Sequence, residues 1–192
     1  MCYVPAMRPI IIAFLMVVGA SAAQAAEQVE APKEAVILTV GGNIAVTNRG
    51  PLDAKQDSLL DRYKVTFERG FAFDRPMLAR LKQGSVTVQP PEFSRPATFK
   101  GPLVKEVLAA VGAASGKKVT ILAVNGYEGW LGPEDIATSD WILALEADGK
   151  PLGLGQQGPL WLLNTRGPDD KAADDHHGHW VWAVMYIGVG DE

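Results

Sequence analysis

The sequence predicts an α+β domain with a mixed or antiparallel sheet. Two observations support this fold class. The segments with helical spacing lie between residues 73 and 112, whereas apolar runs with the length and composition of strands dominate from residue 119 onward. No internal repeat or linker divides the chain, which favours one domain of ordinary size.

The first half is predicted to hold three strands. The earliest is a buried apolar run that ends at two glycines, and the next alternates apolar and polar residues as a half-buried strand does. The third is a short run that stops at two prolines, which cannot donate to a sheet ladder. In chain order these segments are "AVILTV" (35–40), "YKVTFERG" (63–70) and "SVTV" (85–88).

Two helices are predicted between residues 73 and 112. In "FDRPMLARL" (73–81), Asp74 has the position of an N-cap and Pro76 lies in the first turn. The segment "GPLVKEVLAAVG" (101–112) has Pro102 at its start and Gly112 at its end. Its apolar stripe at helical spacing consists of Leu103, Val104, Val107, Leu108 and Val111.

From residue 119 onward the chain is predicted to consist of strands joined by turns. A "DGK" turn (148–150) separates two of them, because Asp and Gly favour tight turns. The predicted strands are "VTILAV" (119–124), "WILALEA" (141–147), "PLWLL" (159–163) and "HWVWAVMYIGV" (179–189).

The N-terminal segment has the pattern of a secretory signal peptide. A single early charge, Arg8, precedes an apolar run of nine residues (10–18), and "AQA" (23–25) supplies small residues for cleavage. We therefore expect a signal peptide at 1–25, a short flexible leader at 26–34 and one domain at 35–192, with a periplasmic location. Cleavage would remove Cys2, the only cysteine, and with it disulfides, thiolate catalysis and cysteine metal ligands.

The charge balance bears on the partner. The formal net charge is −4 at pH 7 and no run of basic residues occurs. Nucleic acids and anionic lipids attract clustered Lys and Arg, so the sequence argues against either as the main partner.

One motif resembles a nucleotide-binding site without its context. "GLGQQG" (153–158) has the spacing of a dinucleotide fingerprint, but Pro159 and an apolar strand follow where a helix should bind the pyrophosphate. We interpret it as a glycine-rich turn.

No G-x-S-x-G motif occurs and all three histidines lie in one short segment, which argues against a hydrolase triad.

That segment, "DDHHGH" (174–179), contains ligand types that suit a divalent metal. The candidates His176, His177 and His179 are nearly contiguous, and nothing nearby fixes a three-ligand geometry. We interpret the segment as a solvated loop, with a metal site as the alternative.

Tryptophan is the more informative residue type, with five in the chain. Side chains alternate along a strand, so Trp180 and Trp182 are expected on the same face. They are either part of the core or an aromatic platform on which a flat ligand stacks.

The order of motifs resembles a known family over residues 35–189. The phrases are "AVILTVGGNI", "FAFDRPMLARL", "SVTVQPPEF", "TFKGPLVKEVLAAVGA", "LAVNGYEGWL", "DWILALEADGKPL", "GQQGPLWLLN" and "HWVWAVMYIGV". Together they resemble the sulfite-oxidase-fold molybdopterin-binding domain family, in its small single-domain exported form. This resemblance implies the sulfite oxidase fold, with a mixed or antiparallel sheet core and a few short helices.

The chain departs from the enzymatic members at the positions that hold their cofactor. Those members bind molybdenum through a cysteine, whose place falls near Gln89. They hold the cofactor's phosphate with an Arg and a Lys, whose places correspond to Trp161 and Trp182. Two indoles in place of two cations remove charge and add stacking surface. The chain therefore resembles the branch of periplasmic pterin-binding proteins that are non-catalytic.

This branch implies a function and a partner. The protein would bind a pterin and pass this signal to the periplasmic domain of a membrane sensor that controls cyclic di-GMP. Two alternatives remain open: a molybdopterin-dependent oxidoreductase that uses other ligands, and a structural or interaction domain with a vestigial pocket.

A reduced, non-phosphorylated pterin is flat and has a donor and acceptor edge, so it needs aromatic faces and amide or carboxylate groups. The candidate faces are Tyr127, Trp161, Trp180 and Trp182. The candidate edge groups are Asn125, Glu128, Gln157, Asn164 and the backbone of Gly158. Tyr127 and Trp161 are alternatively plain core residues, and Asn125 alternatively forms a turn with Gly126.

Overall fold

The computed structural model describes Met1 and residues 29–91, 93–138, 141–165 and 180–190. Residues 2–28, which hold nearly all of the predicted signal peptide, lie outside this range, as do His176, His177 and His179. Within the described residues, no helix has the length and apolar character needed to cross a bilayer.

The described residues form twelve strands and four short helices. The strands are β1 (Val36–Gly42), β2 (Gly70–Asp74), β3 (Gln83–Val88), β4 (Ala97–Pro102), β5 (Val119–Ala123), β6 (Glu128–Leu131), β7 (Trp141–Ala144), β8 (Glu146–Ala147), β9 (Lys150–Pro151), β10 (Trp161–Asn164), β11 (Val181–Trp182) and β12 (Val184–Val189). The helices are α1 (Ser58–Arg62), α2 (Arg75–Arg80), α3 (Val104–Ala110) and α4 (Pro133–Ala137).

The strands form three sheets. The largest has five strands in the order β2-β1-β12-β5-β6, and the others have the orders β11-β10-β7 and β3-β4-β8-β9. In the five-stranded sheet β1 and β12 pair in parallel, whereas β1 with β2 and β12 with β5 pair antiparallel. Mixed sheets with a few short helices confirm the predicted α+β class.

The main core lies against one face of the five-stranded sheet. Alternate residues of β5, Val119, Ile121 and Ala123, are buried there together with Val104 and Val107 of α3. The predicted apolar stripe of that helix is therefore the face that packs on the sheet.

Helix α3 begins later than the sequence predicted. Gly101 and Pro102 belong to β4, and the helix starts at Val104. Gly101 lies against the backbone of β7, where an added Cβ would come within 1.9 Å of the Leu143 carbonyl oxygen. The glycine thus permits a close crossing of two strands instead of starting a helix.

The strand predicted at 63–70 is wrong. Tyr63 and Lys64 form the turn that ends α1, and Lys64 has a φ of 61°. A left-handed residue interrupts an extended strand, so the next strand, β2, begins only at Gly70. The apolar alternation arises from the packing of an irregular segment. Phe67 is buried in a small apolar cluster, and the partly buried Tyr63 and Val65 pack against that cluster.

The last predicted strand is divided at Ala183, whose φ is 52°. The residues before it form β11 in the three-stranded sheet, and those after it form β12 in the five-stranded sheet. One apolar run therefore serves two sheets.

Asp74 joins the leader to the domain. Its buried carboxylate accepts hydrogen bonds from the backbone N–H groups of Met77 at 2.8 Å, Lys33 at 2.7 Å and Glu34 at 3.1 Å. The first of these confirms the predicted N-cap of α2. Burial acts to raise the pKa of Asp74, but the three hydrogen bonds outweigh burial and hold the pKa below 3.8.

The lowered pKa of Asp74 predicts a loss of stability in acid. Because the folded-state pKa lies below the unfolded value, this contribution is complete above pH 3.8 and disappears as the pH falls through the folded-state pKa. We expect Asp74→Asn to show a lower Tm at neutral pH and a shallower decline of Tm between about pH 5 and pH 2. Circular dichroism melts measure both.

Asp74→Ser is the matched control, since serine keeps an N-cap acceptor but carries no titrating carboxyl group. It should retain more of the neutral-pH Tm than Asp74→Ala and show the same shallow acid profile as Asp74→Asn. A wild-type acid slope in both Asn and Ser variants would contradict the assignment.

Candidate ligand-binding site

A cavity of about 470 Å³ lies where β11 passes into β12. The glycine-rich turn forms one wall and the end of β5 forms another. Its lining residues are Val124, Asn125, Leu154, Gly155, Gln156, Gln157, Gly158, Trp182 and Ala183.

Backbone hydrogen bonds of Ala183 hold these walls together. Its N–H donates to the Gln157 carbonyl at 2.9 Å, and its own carbonyl accepts from the Val124 N–H at 2.9 Å. The next residue, Val184, donates to the Leu160 carbonyl at 3.0 Å. The left-handed backbone at Ala183 thus connects the turn on one side to the end of β5 on the other.

The "GLGQQG" segment is a closed turn. The Gly153 carbonyl accepts from the N–H groups of both Gln156 and Gly158 at 3.1 Å, and Gly155 has a φ of 88°. A Cβ on Gly158 would lie 2.5 Å from the Leu152 carbonyl oxygen, so the backbone approaches too closely for a side chain. Because β10 follows instead of a helix, the interpretation as a glycine-rich turn is confirmed.

Trp182 is the aromatic side chain in the cavity. It is 40% exposed, although its register partner on β10 is Trp161, which is only 2% exposed. Trp161 packs edge-on against Phe99 at 5.2 Å and against Trp180 at 6.4 Å between ring centroids. Of the three tryptophans predicted at the site, Trp182 alone lines the cavity, whereas Trp161 and Trp180 pack together in a neighbouring core cluster.

Four of the nine predicted ligand-binding residues line this one cavity: Asn125, Gln157, Gly158 and Trp182. Tyr127 is exposed beside them and does not line the cavity. Its N–H donates to the Asn125 side-chain oxygen at 3.0 Å. Asn125 therefore forms the turn that the sequence suggested, and it also lines the cavity.

The other predicted residues lie elsewhere. Asn164 is buried on β10 and does not line the cavity. Glu128 starts β6 and lines a different cavity, on the far face of the five-stranded sheet. The sequence places these residues near the motifs of the site, but strand alternation turns their side chains away from it.

Leu154 is the main lining residue that the sequence reasoning did not single out. It is 75% exposed at the tip of the glycine-rich turn. A large apolar residue between two glycines was the available signal, because a solvated turn seldom needs one.

Known proteins inform the fold. No protein-family model and no curated protein sequence matches the chain. Among solved structures, it is similar to the sulfane dehydrogenase SoxCD from Paracoccus pantotrophus, with 15% sequence identity and a TM-score of 0.53. The chain has a sulfite-oxidase-like fold.

The likeness covers 85% of this chain and 40% of SoxCD, so the chain spans less than half the length of that neighbour. At this identity the comparison establishes the sulfite-oxidase-like fold and no activity, because one fold supports many functions.

The residues described do not fit a thiolate-bound molybdenum. Gln89, at the place that the resemblance gives to the cysteine, is an exposed amide whose Nε2 donates to the Phe93 carbonyl at 3.3 Å. An amide does not provide the soft anionic ligand of a thiolate. Within the described part of the chain, no group of three or more His, Cys, Asp or Glu side chains could hold a metal ion.

The different burial of two tryptophans predicts different costs of removal. Trp161→Ala empties a core position and should lower the free energy of unfolding by about 3–5 kcal/mol. Trp182→Ala removes an exposed ring and should cost no more than about 1 kcal/mol. Denaturant titrations measure both values, and equal losses would show that Trp182 is a core residue as well.

Proposed function

We propose that this protein is a non-catalytic pterin-binding protein whose ligand stacks on Trp182. The observation that carries the proposal is an exposed indole set beside side-chain amides in one cavity. A flat heterocycle requires this combination, because its face is apolar and its edge carries hydrogen-bond donors and acceptors.

The size of the cavity supports a small ligand. About 470 Å³ lies within the range of small-molecule sites. Leu154 and Trp182 supply apolar surface, and Asn125, Gln156 and Gln157 supply amides. Each amide offers a donor and an acceptor, which suits the amino-pyrimidinone edge of a reduced pterin.

The described lining also favours binding over acid–base chemistry. Its side chains are amides, apolar groups and one indole, none of which titrates near neutral pH. General acid–base catalysis needs a group that does. A molybdopterin-dependent oxidoreductase with other ligands is the alternative that this composition disfavours.

The cellular role in this proposal is the one that the family resemblance implies. An exported pterin-binding protein would act in the periplasm and report its ligand to the periplasmic domain of a membrane sensor that controls cyclic di-GMP. Tyr127, exposed next to the cavity, and Leu154, exposed on its wall, would present apolar surface to such a partner in the loaded state.

Calorimetric titration with tetrahydrobiopterin, a reduced and non-phosphorylated pterin, tests the proposal. We expect saturable binding to the wild-type protein, weakened about tenfold or more by Trp182→Ala, since stacking of a base on an aromatic ring contributes about 1–3 kcal/mol. Gln157→Leu should weaken binding as well, through the loss of edge hydrogen bonds.

Trp130→Ala is the matched control. Trp130 lies on β6, where the Lys118 ammonium sits 5.3 Å from its ring centroid, and it does not line the cavity. Unchanged binding in this variant is expected. Absence of binding to the wild type, or an equal effect of both tryptophan substitutions, would overturn the proposal. Stoichiometric molybdenum in protein purified from its native compartment would favour the oxidoreductase instead.

A further inference from the structure

A second cavity, of about 320 Å³, lies on the opposite face of the five-stranded sheet from the main core. The segment that follows α1 covers part of it. Its lining includes Tyr63, Lys64, Thr120, Glu128 and Tyr186. This lining is more polar than that of the Trp182 cavity, and no residue is shared between the two.

Two glycines in register lie on the sheet face that carries this cavity. Gly41 of β1 pairs with Gly188 of β12, which pairs in turn with Thr120 of β5. Two adjacent positions of the outer face therefore carry no side chain. A Cβ at Gly41 would come within 2.9 Å of the Tyr186 hydroxyl oxygen and 2.8 Å of the Phe67 ring, so a larger residue would displace those rings.

Lys64 occupies a position where glycine is the easier choice. It follows the last turn of α1 with a φ of 61°, and its N–H donates to the Asp61 carbonyl at 2.9 Å. Helices commonly end with a glycine in this conformation, because a Cβ is disfavoured there. The exposed residue Lys64 thus lines the cavity from a left-handed backbone position.

Glu128 supplies the opposite charge. It starts β6 and lies in register with Leu122 of β5. No ion pair joins the Lys64 ammonium or the Glu128 carboxylate to any other residue that the structure describes. One cavity thus presents a cation and an anion that do not neutralise each other.

We propose that this cavity binds a small zwitterion of the free amino acid class. The ligand carboxylate binds to Lys64 and the ligand ammonium binds to Glu128, each through a charge-assisted hydrogen bond. The Thr120 hydroxyl and the Tyr63 ring complete a small polar pocket beneath the ligand. This site is separate from the proposed pterin site and does not depend on it.

Nuclear magnetic resonance titration of the intact protein with L-serine tests the proposal. Saturable shifts at Lys64, Thr120 and Glu128 are expected. Acetate carries only the carboxylate and methylammonium only the ammonium, so each should bind about tenfold more weakly or worse, having lost one charged hydrogen bond. Acetate binding as tightly as L-serine would overturn the zwitterion assignment, and so would a lack of saturable shifts with L-serine.

Two variants separate binding from folding. Lys64→Gly relieves the left-handed backbone, so Tm should stay the same or rise while L-serine affinity falls about tenfold or more. Glu128→Gln, at an exposed position, should weaken L-serine binding similarly and leave acetate binding unchanged. The controls Lys55→Met and Glu134→Gln alter exposed residues outside both cavities and should bind as the wild type does. Wild-type affinity in both Lys64→Gly and Glu128→Gln would overturn the proposal.

Discussion

The passage of the chain from one sheet to another at Ala183 is the constraint on which the Trp182 site depends. A β-strand that continued straight would keep Trp182 and Val184 in one sheet. The left-handed turn at Ala183 instead divides the run, and its N–H and carbonyl bond to the Gln157 carbonyl and the Val124 N–H, respectively. Side chains from three separate parts of the chain meet at this point because the backbone of one residue connects them.

Glycine residues act differently near the two cavities. At the Trp182 cavity, Gly158 lets the turn lie directly against Leu152, which brings the amides of the turn to the wall. On the other face of the five-stranded sheet, Gly41 leaves room for the Phe67 ring and the Tyr186 hydroxyl, which a Cβ would displace. Glycine therefore permits a close backbone approach at one cavity and close ring packing beside the other.

The sequence predicted the elements better than their ends and their side-chain directions. Asp74 capped its helix as expected, because capping is decided by a few neighbouring residues. Gly101 was assigned to a helix start, since the strand that crosses it, β7, lies far along the chain. The alternation from Tyr63 to Phe67 predicted a strand, but the left-handed backbone at Lys64 excluded it. At the site, Trp161 and Trp182 are register partners on neighbouring strands, and the sequence around them does not distinguish them. Tertiary packing buries Trp161 and leaves Trp182 exposed.

The parallel pairing of β1 with β12 has a consequence for the order of folding. These are the first and last strands of the described chain, and they lie side by side within the five-stranded sheet. The sheet therefore cannot close until β12 has been synthesised, and pairings of such high sequence separation are slow to form. A newly made chain would remain without its largest sheet for a time, with the apolar face that α3 later covers still open to solvent.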